Sequence, residues 1–157
     1  MSQLSEELRQ HPFLAGMRPE HVERLAQLAR RASYPADAVL FAEGDERHEF
    51  FMLGGGRVAL EMLSHGQAVR VDTLEPGAAF GWSAVLLGRG KHFQARALEP
   101  VTALVFPGVE LLAACRADSD FGFDMMHRLL GLVSRRLQAA RLRVLDSYWT
   151  PAKRAGA

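Results

Sequence analysis

The chain has 157 residues, enough for one domain (residues 1–157) with its own core and no need of disulfides or a structural metal. Apolar residues make up 48% and charged residues 24%, an ordinary globular balance; 19 basic against 18 acidic residues leave +1, so no global field points to nucleic acid or an anionic membrane. Cys115 is the single cysteine, which excludes an intramolecular disulfide and fits a reducing compartment. The start MSQLSEELRQ is polar and acidic, unlike a signal peptide, and no apolar run approaches a membrane span. The expected location is the cytoplasm.

A helical lead occupies residues 1–31. Ser5, Glu6 and Glu7 start a short helix that His11-Pro12 ends, because the residue before proline avoids the helical region. Pro19 at a first helical position, with Val22, Leu25, Ala26 and Ala29 on one face, predicts a helix over 19–31. From residue 32 to 106 the period changes to short apolar segments between turns. Val58, Leu60 and Met62 alternate with Arg57, Ala59 and Glu61; after the turn Ser64-His65-Gly66-Gln67, Val69, Val71 and Thr73 alternate with Arg70 and Asp72. These are half-buried antiparallel strands. Two more strands follow at about 92–98 and 101–106, and the set describes a small barrel or roll.

Between them lies LEPGAAFGWSAVLLGRGKHFQARA (74–97), with a Pro-Gly turn, a glycine beside an aromatic, a short apolar turn of helix and a basic loop. Such a stretch aims N–H groups and cations at one anion. Beyond it, residues 108–117 read as a short helix, and Asp118-Ser119 offers an N-cap for a longer one over 120–148. Along that helix Phe123, Met126, Leu130, Val133, Leu137, Ala140 and Val144 keep a 3-4-3-4 spacing, the seam of a homodimer. Leu129 and Leu132 form a second strip expected to face the barrel. The tail 149–157 reads as frayed.

Helix, antiparallel roll, short helix and long C-terminal helix is an order that resembles the cyclic-nucleotide-binding domain of the catabolite-activator (CRP/FNR-like) superfamily. The resemblance extends to motifs. Leu40, Gly44, Asp45 and Phe51 are similar to its strand, Gly-Asp turn and aromatic, and Gly56 with Val58 to its next hairpin. Leu74, Pro76, Gly77, Phe80 and Gly81 resemble its L-x-P-G-x-x-F-G signature, which leads into the phosphate-binding cassette. Ala97, Leu98, Val101, Leu104, Val105 and Pro107 are similar to the strand pair that follows. The resemblance spans about 13–148 and implies a mainly β fold with flanking helices, a jelly-roll-like double-stranded β-helix.

It also implies a ligand site built from Phe80, Gly81, Trp82, Ser83, Ala84, Arg89, Lys91 and His92. Two departures stand out. Members that bind a cyclic nucleotide carry Glu after the F-G, where it accepts from the ribose; here the residue is Trp82. Their Arg, Ser/Thr and Ala at the cassette's end fall on Lys91, His92 and Phe93, and lysine lacks the planar fork that grips two phosphate oxygens. The F-G-W-S-A version resembles a stand-alone branch of the superfamily. The chain stops where the transcription factors continue into a winged helix-turn-helix, so specific DNA binding is not expected, and Arg135, Arg136, Arg141, Arg143, Lys153 and Arg154 read as a solvated face and tail.

His11, His21, His48, His65, His92 and His127 lack metal-ligand spacing and read as surface or turn histidines. Cys115 reads as packing. No catalytic set can be assembled, so no enzyme is expected. The expectation is a dimeric sensor for a cyclic nucleotide or another small anionic effector, signalling to a protein partner. The rival is a ligand-free docking module with Trp82 filling the pocket.

Overall fold

The structure, a computed structural model, describes residues 2–45, 48–83 and 93–156, with side chains as far as Tyr148. The chain opens with helix α1 (Gln3–Gln10). Its N-cap is Ser2, whose hydroxyl accepts from the Ser5 amide at 3.1 Å, so the helix begins earlier than the Ser5 start read from sequence. His11 ends it, and a 3-10 turn (Pro12–Leu14) follows. Helix α2 (Pro19–Leu28) has proline in its first turn and buries Val22 and Leu25. It stops short of the expected residue 31, because Arg30 and Arg31 already belong to a strand paired with Val105 and Leu104.

Eight strands follow among the described residues: β1 (Arg30–Tyr34), β2 (Val39–Phe41), β3 (Glu49–Gly55), β4 (Val58–Ser64), β5 (Gln67–Leu74), β6 (Ala79–Phe80), β7 (Gln94–Ala97) and β8 (Val101–Pro107). All pairings are antiparallel, in two four-stranded sheets ordered β1-β8-β3-β6 and β2-β7-β4-β5. The mainly β roll with flanking helices is therefore the architecture, as the sequence implied. The β4–β5 hairpin turns on His65 and Gly66, both at positive φ, the two-residue geometry that matches strand twist.

Strand β3 reads as an unbroken apolar run because both its faces are covered. Phe50 and Met52 join the core under the helices, with Phe106, Leu111, Phe121 and Met125; Phe51 and Leu53 join the core inside the roll, with Val58, Leu60, Phe80 and Val105. One carbonyl ties the N-terminal lead to the roll. The Leu53 oxygen accepts from the Gly77 amide at 2.9 Å and from His11 Nε2 at 2.9 Å, while His11 Nδ1 accepts from the Phe13 amide at 3.2 Å. His11 and His21 are thus buried, at 7% and 4% exposure, rather than on the surface or in open turns.

The alternation along β4 also needs correction. Val58 and Leu60 are buried, but Met62 is 42% exposed, whereas Ala59 and Glu61 are buried. The pairing with β5 steps over Val71 between Leu60 and Glu61, and the hairpin beyond that irregularity carries Met62 and Val69 into solvent. The buried Glu61 carboxylate accepts from Gln94 Nε2 at 3.0 Å and pairs with Arg96 on the neighbouring strand.

Helix α3 (Gly108–Ala117) spans the predicted residues. Asp118 caps helix α4 (Ser119–Gly156), its carboxylate accepting from the amides of Asp120 at 3.1 Å and Phe121 at 3.3 Å. The helix continues to Gly156, through the segment read as a frayed tail. Phe121, Met125, Leu129 and Leu132 are buried against the domain, as the second strip required. Arg128 fixes the helix to the lead by donating to the carbonyls of Phe13 and Ala15, each at 2.9 Å.

Candidate functional site

The Pro-Gly turn leads into β6, which joins the sheet beside β3. Leu53 donates to the Ala78 carbonyl at 2.8 Å, and β6 pairs Phe80 with Phe51 and Ala79 with Met52. The Phe51 and Phe80 rings stack 4.9 Å apart, with Phe41 5.6 Å from the first and 6.2 Å from the second. This aromatic block anchors the backbone just before Gly81, whose φ of +82° is one that a side chain rarely adopts. From there the chain turns to present Trp82 and Ser83.

Of the predicted site residues, Phe80 and Ser83 are buried, Gly81 and Trp82 are half-buried, and Ala84, Arg89, Lys91 and His92 lie outside the described residues. Gly81, Trp82 and Ser83 meet Phe41, Leu60, Phe93 and Arg136 around a cavity of about 20 Å³, space for a single water. Trp82 also packs on the core beneath the helices. Its other side borders a groove of about 320 Å³ between the β4–β5 hairpin and α4. The indole is a shared wall between the inside of the roll and the helix.

Arg136 departs from the solvated-face reading. It is half-buried, donates to the Ala79 carbonyl, and loses enough water that burial lowers its pKa, with the Asp72 charge acting the other way. Arg143 is likewise engaged: it donates to the Val71 carbonyl and lies 3.2 Å from the Asp72 carboxylate. A signal was available. Residue 136 falls four after Leu132 and seven after Leu129, on the stripe that faces the barrel.

On the seam, Phe123, Leu130, Leu137 and Val144 are 74%, 67%, 52% and 64% exposed, Ala140 is exposed, and Met126 and Val133 are half-buried. Cys115 is packed in the core, and burial pushes its thiol up to about 11. Among the described residues no cluster of three or more His, Cys, Asp or Glu could hold a metal, and no helix is long and apolar enough to cross a membrane.

Two antiparallel four-stranded sheets with a long C-terminal helix packed on the domain are the frame of a ligand-binding regulatory domain. The comparisons agree. Residues 31–118 match the cyclic nucleotide-binding domain family, and the chain belongs to that family. A putative cyclic nucleotide-binding protein from Geobacter metallireducens is 26% identical, with a TM-score of 0.76 over 87% of this chain and 99% of that one. The Thermus thermophilus catabolite activator protein is 27% identical, with a TM-score of 0.71 over 88% of this chain and 63% of its own. The regulatory domain of Toxoplasma gondii PKA, solved with cAMP, shares the fold at 20% identity, with a TM-score of 0.62 over 71% of this chain and 42% of that one. No curated protein matches the chain.

Proposed function

We propose that the chain is a non-enzymatic, cytoplasmic, homodimeric sensor whose roll takes a small anionic effector at a degenerate cassette and signals through α4 to a protein partner. The observation that carries this reading is Trp82, which lines both the cavity inside the roll and the groove against α4. Whatever displaces the indole from one side alters its packing on the other, so a ligand that binds one helix arrangement better than another shifts the helix. The exposed seam supports the dimer.

The missing ribose acceptor costs a charged hydrogen bond, so cyclic AMP and cyclic GMP are expected to bind at roughly tens of micromolar or weaker. Isothermal titration at low salt with both nucleotides and with inorganic phosphate tests this, alongside thermal protection by phosphate in the Lys91→Ala variant. Submicromolar nucleotide binding would show that Trp82 does not obstruct the site. The rival reading, a ligand-free docking module, is favoured by the smallness of the 20 Å³ cavity. Heats indistinguishable from dilution, with no phosphate protection to lose on Lys91→Ala, would select it.

A further inference from the structure

We propose that Arg136, on the C-terminal helix, holds the anionic group of the effector, and that this effector is an amphiphile with one carboxylate, sulfonate or phosphate group and an apolar body seated between the β4–β5 hairpin and α4. The inference rests on the sensor reading above and adds the ligand class and the residue that recognises it.

Three observations converge on Arg136. A guanidinium carries five donors and is kept from water only when it has partners. Among the described residues its hydrogen-bond acceptor is one neutral carbonyl, that of Ala79, and no carboxylate pairs with it. Asp72, the acid that reaches it electrostatically, is engaged by Arg143 at 3.2 Å. The segment 84–92 contains no acidic residue that could supply a counter-charge. Among the described residues the guanidinium is therefore a partly desolvated cation with donors to spare.

The second observation is the space beside it. The groove of about 320 Å³ has room for roughly ten water-sized groups. Leu60, Met62, Val71, Trp82, Val133 and Leu137 form most of its wall. Among the described residues its charged members are Arg136, Arg143 and Asp72, so after the Arg143–Asp72 pair cancels, one positive charge remains among them. An apolar trough with a single uncancelled cation is complementary to an amphiphilic monoanion.

The third is position. Arg136 also borders the cavity inside the roll, with Gly81 and Ser83. An anion that draws the guanidinium from the Ala79 carbonyl changes a contact between α4 and β6 directly. Recognition and helix displacement then become one event, with no cassette arginine required.

The full chain is titrated at low salt with 8-anilinonaphthalene-1-sulfonate, read by fluorescence, and with decanoate as competitor. One saturable site is expected in the wild type. Arg136→Met, which keeps the side-chain stem but removes the charge, should weaken binding about 10- to 100-fold, the scale of one charged hydrogen bond. Arg136→Lys should recover part of it. Val71→Trp, which fills the groove and leaves the guanidinium intact, should weaken binding similarly and decides the matter if Arg136→Met does not fold. Arg116→Ala, on α3 and outside the groove lining, should leave the affinity unchanged. Binding within twofold of wild type in a folded Arg136→Met or Val71→Trp protein would overturn the inference. Weakening by Lys91→Ala while Arg136→Met keeps wild-type affinity would overturn it and leave a cassette-based anion sensor standing. No saturable binding of either amphiphile also overturns it, and the phosphate and nucleotide titrations then judge the sensor reading separately.

Discussion

Charging the α4 seam should split the dimer without unfolding the protomer. Leu130 and Leu137 are 67% and 52% exposed on one chain, so Leu130→Glu with Leu137→Glu removes little packing within it. In a dimer those exposed portions are buried. Full burial of a leucine contributes about 1.5–3 kcal/mol, so half to two thirds of it contributes about 1–2 kcal/mol per site. With two sites on each of two chains the lost burial is about 4–8 kcal/mol. At ~1.4 kcal/mol per decade this weakens association by roughly three to six orders of magnitude, before the four new carboxylates repel one another. Multi-angle light scattering at micromolar protein should show a wild-type dimer and a double-variant monomer, with unchanged far-ultraviolet circular dichroism. A wild-type monomer, or a double variant that stays dimeric, would refute the reasoning.

Burial holds the pKa of His11 below its ordinary value, so the neutral ring that bridges Leu53 and Phe13 stabilises the fold fully above pH ~6.5. Stability should fall as pH drops from about 6.5 through the lowered folded-state value, because the unfolded chain takes up the proton first; urea melts of wild type and His11→Gln between pH 7.5 and 5 should show a shallower slope in the variant. Gly56→Ala should cost about 2 kcal/mol or more, since φ is +79° there and a Cβ would sit 2.3 Å from the Pro100 carbonyl oxygen; an unchanged urea midpoint would contradict that. With its thiol pushed up to about 11, Cys115 should be inert to a maleimide at pH 7.5 and react only in denaturant, and rapid labelling of folded protein would argue for an open α3.

Local signals in the sequence were strong where the chain's own neighbours decide the outcome. His65-Gly66, Asp118 and the limits of α3 follow from residues within a few positions, and the structure places each as read. Gly81 turns at positive φ where the Phe80-Gly81 pair stands, and the seven-residue spacing along α4 picked out Phe123, Leu130, Leu137 and Val144, which are exposed, together with Met126, which packs on the domain's own core. What was illegible depends on partners far along the chain. Glu61 is buried because Gln94 and Arg96 lie across the ladder, and α2 stops at Leu28 because β8 claims Arg30. Arg136 reaches a carbonyl 57 residues away, and the count of arginines on the helix gave no hint of it. The spacing from Leu129 and Leu132 put Arg136 on the barrel-facing stripe, but its acceptor, the Ala79 carbonyl, was legible only in the fold.

The doubly used Leu53 oxygen has a consequence for local opening. The same acceptor holds the lead, through His11, and the Pro-Gly turn, through the Gly77 amide. Neither segment can swing away without stripping a bond from the atom that holds the other, so the two should detach from β3 as one cooperative unit. In native-state hydrogen exchange the amides of Phe13 and Gly77, 64 positions apart in the chain, should share a single opening free energy, and an agent that slows one should slow the other.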